Sequence, residues 1–330
     1  MAKENLNNEL DYNTFTMDLK DRKILYELEK NSRQSFSVIG KKVKLPKNVV
    51  AYRVKRLMDE NLIKGFYPVV DLSKLGLLYC RIFLKFQNIS SDKERKIIEH
   101  LKKISSVGWL GSQEAYWDLV GVISAKSLDE LYGIYKEIIH LYGKYLQNKE
   151  ITIATRVHHF KHKFLYPTQD NSSSIIGGQI EKVVDETDLK LIDILTKNAR
   201  TPLLEIARKL SMSTKTAKSR LKNLVKTGVI KEFRFIMNHK VLGYHYFHVF
   251  LYLEKMTKEK ENELIDFLGS HPNVIYITEA IGRADLEFDV VLKSHNSLYD
   301  LLKQLKTNFP ENIKGHEAAL IYDVHKQLFT

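Results

Sequence analysis

The sequence repeats itself at a constant offset of 167 positions, and this duplication constrains the fold more than any other feature. Arg53 returns as Arg220 and Gly76 returns as Gly243, with no insertion between the pairs. The period is longer than the roughly 20–50 residues of solenoid and propeller repeats, and it has the size of a small protein. The chain therefore consists of two fused copies of one ancestral protein, and each copy must bury a core of its own.

Charge and composition narrow the class of partner. The 330 residues include 52 Lys and Arg against 40 Asp and Glu, a formal net charge of +12. Such an excess favours a polyanionic partner, of which nucleic acid is the commonest. The single cysteine, Cys80, excludes an intramolecular disulfide and disfavours a zinc cluster. No apolar run approaches the ~20 residues that span a bilayer, so we expect a cytoplasmic protein without a membrane partner.

Each copy begins with a pattern of three short helices and a strand. Apolar residues between Asp18 and Lys30 recur at helical spacing, and Asp18 is a plausible N-cap. A second helix is predicted over 35–43, a third from about Pro46, and a strand over 62–67. The second copy repeats the pattern at 187–197, 203–209, 213–227 and 229–235. Three helices followed by a strand hairpin are the layout of a winged helix-turn-helix.

The remainder of each copy alternates strands and helices. In the first copy, the predicted order is a strand at 77–87, a helix at 92–104, strands at 107–113 and 117–123, a helix at 127–142 and a strand at 150–158. The same pattern extends over about 244–327 in the second copy. This βαββαβ order is ferredoxin-like and leaves one face of the sheet open for a partner. The predicted fold class is therefore α+β, with two winged helix-turn-helix domains and two ferredoxin-like domains in tandem.

The predicted domains follow one another along the chain: a flexible tail at 1–16, a winged helix-turn-helix at 17–72, a βαββαβ domain at 73–160, a linker at 161–183, a second winged helix-turn-helix at 184–239 and a second βαββαβ domain at 240–330. A flexible linker of about 20 residues spans roughly 25 Å. The two sheet domains can therefore meet within one chain at an effective concentration on the order of millimolar. We expect one chain to form a pseudo-dimer, and a higher homo-oligomer is left open.

The third helix of each winged unit carries a basic face opposite its buried stripe. At 100° per residue, this face points away from Val50, Val54 and Leu57. The predicted DNA-binding residues on the two helices are Lys47, Asn48, Tyr52, Arg53, Lys55 and Arg56, and Lys215, Lys218, Ser219, Arg220 and Lys222. Lysine and arginine neutralise phosphates, and Asn or Arg can bond bidentately to base edges. A solvated helix face is the alternative, but the duplication and the basic chain favour contact with double-stranded DNA.

These residues resemble the Lrp/AsnC (feast/famine) family of transcriptional regulators. The resemblance is carried by Asp18 to Arg33, Arg53-Val-Lys-Arg-Leu and Leu62-Ile-Lys-Gly-Phe in the first copy. In the second copy it is carried by Asp188 to Arg200 and Arg220-Leu-Lys-Asn-Leu. The resemblance covers nearly all of the chain except the tail and the linker. It implies sequence-specific DNA binding, pairing through the sheet domains, frequent assembly into octamers, and binding of an amino acid or related effector.

The family's glycine-x-x-aspartate turn matches Gly282-Arg283-Ala284-Asp285 in the second copy. The resemblance implies effector binding by Gly282, Arg283 and Asp285, because glycine lets the backbone approach a ligand and Asp285 could take an amino group. A plain hairpin turn that needs glycine for its φ angle is the alternative. In the first copy, the corresponding residues 115–118 lack the glycine and carry two aromatic side chains.

Two other functions are compatible with the pattern. Siroheme-type decarboxylases of haem precursors resemble this family in fold and use an Arg/His-rich stretch around the second and third strands. Residues 109–118 contain neither Arg nor His, and the second copy has only Arg283 there, so we predict no enzyme activity and no cofactor. An architectural DNA-coating protein is the other alternative. His158, His159 and His162 are predicted to form an exposed basic stretch and no metal site.

Overall fold

The computed structural model describes residues 15–166, 168 and 170–327. The first winged unit contains α1 (Leu19–Lys30), α2 (Phe36–Val43), α3 (Lys47–Asp59) and β1 (Ile63–Val70). The Asp18 carboxylate accepts a hydrogen bond from the Asp21 backbone N–H at 2.8 Å and thereby begins α1. The predicted three-helix pattern is confirmed. Most of the predicted tail lies outside the described residues, but Phe15 packs against the core of this unit.

The first sheet domain follows the predicted βαββαβ order. Its elements are β2 (Leu78–Phe86), α4 (Ser91–Lys103), β3 (Val107–Glu114), β4 (Leu119–Ala125), α5 (Leu128–Tyr142) and β5 (Leu146–Phe160). The final strand is much longer than predicted, with 15 residues. This length is important because the two ends of β5 pair with different strands.

The predicted linker is wrong for part of its length. Residues 173–177 form a strand, β6 (Ser173–Gly177), that pairs antiparallel with the end of β5. Gly177 permits this pairing because its φ is +100° and a Cβ there would lie 2.4 Å from the Thr155 carbonyl oxygen. The polar Ser-rich composition that suggested a flexible tether therefore belongs to an edge strand of the sheet.

The second copy repeats both domains. Its elements are α6 (Glu186–Lys197), α7 (Leu203–Lys209), α8 (Thr214–Lys226), β7 (Ile230–Met237), β8 (His245–Leu253), α9 (Lys258–Ser270), β9 (Val274–Ile281), β10 (Leu286–Leu292), α10 (His295–Asn308) and β11 (Ile313–Gln327). The predicted α+β class, with two winged units and two ferredoxin-like domains, is confirmed.

The two winged units are joined directly to each other. Strands β1 and β7 pair antiparallel as a two-stranded sheet, with one strand from each copy. On either side of this sheet, Arg33 donates to the carbonyl of Thr201 at 3.1 Å, and Arg200 donates to the carbonyl of Gln34 at 3.2 Å. Apolar residues of both units form one continuous core. The two units therefore form a single double-headed body.

The two sheet domains are also joined through their strands. The far end of β5 pairs with β9 of the second copy, and the far end of β11 pairs with β3 of the first copy. Because β2 and β5 pair as well, eight of the strands close into a ring in the order β2-β4-β3-β11-β8-β10-β9-β5. Helices cover the outside of each half, and the inner faces of the two halves meet across the ring.

Candidate nucleic-acid interface and buried polar sites

The third helix of the first unit exposes part of the predicted basic face. Lys47, Asn48 and Lys55 are exposed, and the Tyr52 side chain is 66% exposed. The opposite side of α3 is buried in the shared core through an apolar stripe that includes Val50. Amphipathic packing therefore fixes which side of the helix faces solvent, as the helical periodicity predicted.

The third helix of the second unit presents the equivalent surface. Lys215, Lys218, Ser219 and Lys222 are exposed on α8, and Ala217 is buried beneath them. Among the predicted DNA-binding residues, Lys55 and Lys222 are the exposed pair that has the same side chain at equivalent positions of the two helices. The two helices therefore offer similar charge and different hydrogen-bonding groups.

Three of the predicted arginines are half-buried and bound to carboxylates of the protein itself. The Arg53 Nη1 atom lies 2.7 Å from Asp18 Oδ2 and 2.8 Å from Asp21 Oδ1. The Arg56 Nη2 atom lies 2.6 Å from Asp21 Oδ2. These pairs attach α3 to the beginning of α1. The guanidinium groups therefore fix the position of the third helix, and the lysines supply the exposed charge.

The same device recurs in the second unit. The Arg220 Nη1 atom lies 2.8 Å from Asp185 Oδ2 and 2.9 Å from Asp188 Oδ1. Asp185 is the N-cap of α6, as Asp18 is the N-cap of α1. Repetition of the arrangement in both copies explains in structural terms why Arg53 and Arg220 recur at the same offset.

The turn predicted to bind an effector contacts the other copy. Gly282 has a φ of +139°, and a Cβ there would lie 2.9 Å from Thr152 Cγ2 of the first copy. Arg283 forms ion pairs with Glu150, at 3.4 Å, and with Glu317, and its guanidinium lies 5.4 Å from the centre of the Trp117 ring.

The Asp285 carboxylate is exposed, and its Oδ2 accepts the Leu253 backbone N–H at 2.8 Å. Asp118 accepts the Phe86 N–H in the same way at 2.6 Å in the first copy. Each aspartate therefore attaches its turn to the last residue of a neighbouring strand, β8 in the second copy and β2 in the first. The neighbouring glycine is needed for close approach to the other copy.

A charged cluster lies at the centre of the ring, where the two copies meet. Arg81 of β2 forms an ion pair with Glu287 of β10 and donates to Thr278 Oγ1 at 2.7 Å. His248 lies 2.9 Å from Asp289 Oδ1 and 3.0 Å from Glu287 Oε2. Burial alone would raise the pKa of Glu287, but Arg81 and His248 lower it. Burial alone would lower the pKa of His248, but the two carboxylates raise it.

This cluster is asymmetric although its framework is duplicated. Arg81 and His248 are equivalent residues, 167 positions apart, and their side chains approach to 3.4 Å. The carboxylates Glu287 and Asp289 correspond to Val120 and Val122 in the first copy. One copy therefore contributes the arginine and the other contributes the acids. The sequence signal for this site was Arg81, which interrupts an apolar strand.

The prediction that the three histidines near residue 160 are exposed is wrong. His158, His159 and His162 retain only 7%, 5% and 6% of their exposed surface. His158 Nε2 lies 2.8 Å from Glu279 Oε1, and His162 Nδ1 lies 2.9 Å from the buried Glu29. His158 and His159 are buried because the end of β5 pairs with β9, and His162 is buried against Glu29 and Phe235 of the winged units. No group of three or more potential ligands forms a metal site in the part of the chain that the structure describes.

A cavity of about 870 Å³ lies between the double-headed body and the ring of strands. Both copies contribute to its wall, which is rich in aromatic and basic side chains, among them Lys64, Trp109, His159, Lys240, Tyr276 and Lys293. The predicted effector residues Gly282, Arg283 and Asp285 do not line it. Sequence reasoning missed this cavity because its lining comes from many separate strands. Within the described residues, no helix has the length and apolar character needed to cross a bilayer.

Comparison with known proteins links the two winged units to DNA-binding domains. A family model described as winged helix-turn-helix DNA-binding matches residues 17–64 and again residues 184–231. The HTH-type transcriptional regulator FL11 of Pyrococcus furiosus is 28% identical over 145 residues, which are 44% of this chain and 93% of that protein. An uncharacterised HTH-type transcriptional regulator of Pyrococcus abyssi is 30% identical over 116 residues, which are 35% of this chain and 77% of the relative.

One solved structure is similar over the whole tandem arrangement. The siroheme decarboxylase NirDL has a TM-score of 0.62 and 14% sequence identity, with 94% of each chain covered. That enzyme has also been solved in complex with an iron-uroporphyrin III analogue. At this level of identity, the similarity concerns the fold alone.

Proposed function

The chain belongs to the Lrp/AsnC family of HTH-type transcriptional regulators, and from this membership we propose that it binds double-stranded DNA through both winged units. The observation that carries the proposal is the exposed lysine face on the third helix of each unit. In proteins with this motif, the recognition helix lies in the major groove, and its N-terminal residues contact base edges. Lysines on such a face neutralise phosphates and release counterions.

We propose that a single chain forms the two-headed DNA-binding unit that two identical chains form in a family dimer. The β1–β7 sheet and the shared core hold the two recognition helices on one body. A family dimer would present two identical helices, whereas here Asn48 and Tyr52 are replaced by Lys215 and Ser219 at the equivalent positions of the second copy. The preferred DNA site therefore has two unlike half-sites. Further association of chains into a higher homo-oligomer is compatible with this arrangement.

The test is the salt dependence of DNA binding by a Lys55→Ala, Lys222→Ala double variant. We expect weaker binding and a log–log salt slope that is smaller by about two, because each lost phosphate contact removes about 0.9 from the slope. The matched control is Lys258→Ala with Lys303→Ala, two exposed lysines on helices of the second sheet domain. Unchanged affinity and slope in the first variant, or equal loss in the control, would refute the proposed interface.

Arg53, Arg56 and Arg220 are proposed to act on DNA indirectly. Because each is bound to the N-cap or the first turn of the first helix of its unit, its removal should loosen the third helix. We expect Arg53→Ala to lower the melting temperature as well as the affinity, whereas Lys55→Ala should lower the affinity alone. Thermal unfolding of the two variants separates the two roles.

We propose that an amino acid or related small molecule regulates the protein, in keeping with its family. Of Gly282, Arg283 and Asp285, the aspartate carries the exposed carboxylate that could take an amino group. Thermal shift measurements with the twenty amino acids, repeated on Asp285→Asn, test this site. A stabilising amino acid whose effect persists in Asp285→Asn would place the effector elsewhere.

We propose that the chain is a regulator and not an enzyme. The rival is a haem-precursor decarboxylase, because NirDL has the same fold and binds an iron-uroporphyrin III analogue. Residues 109–118 contain no Arg or His, which disfavours that chemistry. The purified protein should show no Soret absorbance and no carbon dioxide release from a tetrapyrrole.

Genome-wide mapping of the bound DNA tests the alternative that the chain is an architectural DNA-coating protein. Discrete bound sites would support a specific regulator, and broad coverage would support a coating protein.

A further inference from the structure

The cavity between the double-headed body and the ring of strands has the properties of a ligand site. Its volume of about 870 Å³ lies within the ~300–1,000 Å³ typical of small-molecule pockets. Its walls come from both copies and from both kinds of domain, so it is a product of the whole assembled chain.

His159 provides a second observation that indicates a ligand. Its side chain is 95% buried against the cavity, since only 5% of its surface remains exposed. Neither ring nitrogen has a hydrogen-bond partner among the described residues. Burial, together with Arg234 and His158, lowers the pKa of His159 to about 3, so the ring is neutral with one donor and one acceptor. Leaving such a group unsatisfied is costly, and native proteins do so chiefly where function requires it.

The charges around the cavity indicate the sign of the ligand. Lys64, Lys240 and Lys293 line it and form no ion pair among the described residues. The ammonium groups of Lys240 and Lys293 donate to the backbone carbonyls of Tyr322 and Leu242, which leaves their charges unbalanced. The Lys293 ammonium lies 4.1 Å from the centre of the Tyr244 ring. Two acids also line the cavity: Asp289 pairs with His248, and Asp323 lies 3.3 Å from His325. The cavity therefore carries an excess of positive charge that an anion would balance.

Aromatic side chains in the wall indicate the shape of the ligand. Trp109, Tyr244 and Tyr276 line the cavity, and aromatic side chains pack well against planar rings. A single amino acid would leave most of the volume empty. We propose that the cavity binds a ring-containing organic anion larger than an amino acid, with the three lysines at its charged end and His159 as a hydrogen-bonding partner. This inference does not depend on DNA binding, which is measured separately.

The test uses a matched pair of probes with the full-length protein. 8-Anilinonaphthalene-1-sulfonate is a ring-containing anion, and N-phenyl-1-naphthylamine is the same ring system without the sulfonate. We expect one sulfonate probe to bind per chain with enhanced, blue-shifted fluorescence, at least tenfold more tightly than the neutral probe. Equal affinity for the two probes would overturn the anionic class of ligand.

Two sets of variants locate the probe. Ile275→Trp fills the cavity wall and should abolish binding, whereas Ile281→Trp, on the exposed end of the same strand, should leave it unchanged. Full binding by a folded Ile275→Trp variant would refute the site. If that variant does not fold, the double variant Lys240→Glu, Lys293→Glu provides the test. It should lower the affinity for the sulfonate probe at least tenfold and leave the affinity for the neutral probe unchanged. Equal binding of the sulfonate probe by this double variant would also refute the site.

Substitution of His159 distinguishes a role in ligand binding from a role in stabilising the fold. In the free protein, His159→Phe removes an unsatisfied buried polar group and keeps the ring contact with Tyr276, so the variant should melt at a higher temperature than the parent. A lower melting temperature would show that His159 serves the fold and would remove it from the proposed site.

Discussion

Replacing Arg81 with Met should strongly destabilise the chain. In the central charged cluster, this arginine of the first copy balances the buried carboxylates Glu287 and Asp289 of the second copy. The side chain is 94% buried, with 6% of its surface exposed, and it pairs with Glu287 and lies 4.0 Å from Asp289. Methionine keeps similar bulk and removes the charge. Glu287 and Asp289 would then share one imidazole, His248, while both carboxylates stay buried.

The magnitude follows from the burial of both partners. Removing one member of a buried ion pair typically costs about 3–5 kcal/mol because a charge is left uncompensated. With an m-value of roughly 2–3 kcal/mol/M, that loss lowers the urea midpoint by about 1–2.5 M. The control is Arg156→Met, whose pair with Glu279 spans 3.1 Å and whose side chain is 57% exposed. An exposed pair of this kind contributes about 0–1 kcal/mol.

The pH dependence provides an independent check. In the parent, the pKa of Glu287 is lowered, so its ionisation stabilises the fold above the unfolded pKa, and this contribution is lost as the pH falls through the folded pKa. In Arg81→Met, burial is no longer offset by the arginine and should raise the pKa of Glu287. Stability of the variant is then lost as the pH rises through that raised value.

The difference between parent and variant should therefore be larger at about pH 8 than at about pH 5. Urea unfolding followed by circular dichroism at both pH values measures it. Adding Glu287→Gln should restore part of the loss, because it removes one of the buried charges that Arg81 had balanced. A loss below ~1 kcal/mol, or one that does not change with pH, would refute this account of the cluster.

Two further predictions concern the joints between elements. Gly177→Ala should lower the melting temperature more than Gly178→Ala, because both residues have φ near +100° but only the first would place its Cβ 2.4 Å from a carbonyl oxygen; equal effects would show that β6 contributes little. Cysteines at Ala154 and Ala280, which are partners across the β5–β9 pairing, should form a disulfide within one chain at nanomolar protein concentration. Crosslinks that form only between chains would show that the copies exchange partners and would refute the pseudo-dimer.

The individual helices and strands could be predicted from the sequence because the residues that specify each of them lie close together in the chain. Asp18 at the start of α1 and Pro46 before α3 identify helix starts, and both helices begin where these residues predict. The alternation of strands and helices gave the βαββαβ order of each sheet domain. The 167-residue offset gave the second copy from the first. Helical periodicity also identified the exposed side of α3 and α8.

Contacts between distant elements did not follow, because periodicity does not specify which strands pair. The 15-residue length of β5 allows it to serve both sheets, and nothing in its composition distinguishes the end that pairs with β9. His159 is polar by type and was therefore predicted to be exposed, yet the pairing of β5 with β9 buries it. The Ser-rich stretch at 173–177 is similarly compatible with a linker and with an edge strand.

The asymmetric cluster around Arg81 implies that the two halves of this chain are no longer interchangeable. Two copies of the second half, paired in the same way, would bring four carboxylates and two imidazoles to one axis, because each half supplies Glu287, Asp289 and His248. Two copies of the first half would bury a pair of Arg81 side chains against Val120 and Val122. If the gene were divided between the two copies, the two polypeptides should thus form a heterodimer in preference to either homodimer. Neither half alone should therefore form a stable homodimer, and each needs the other to balance its buried charges.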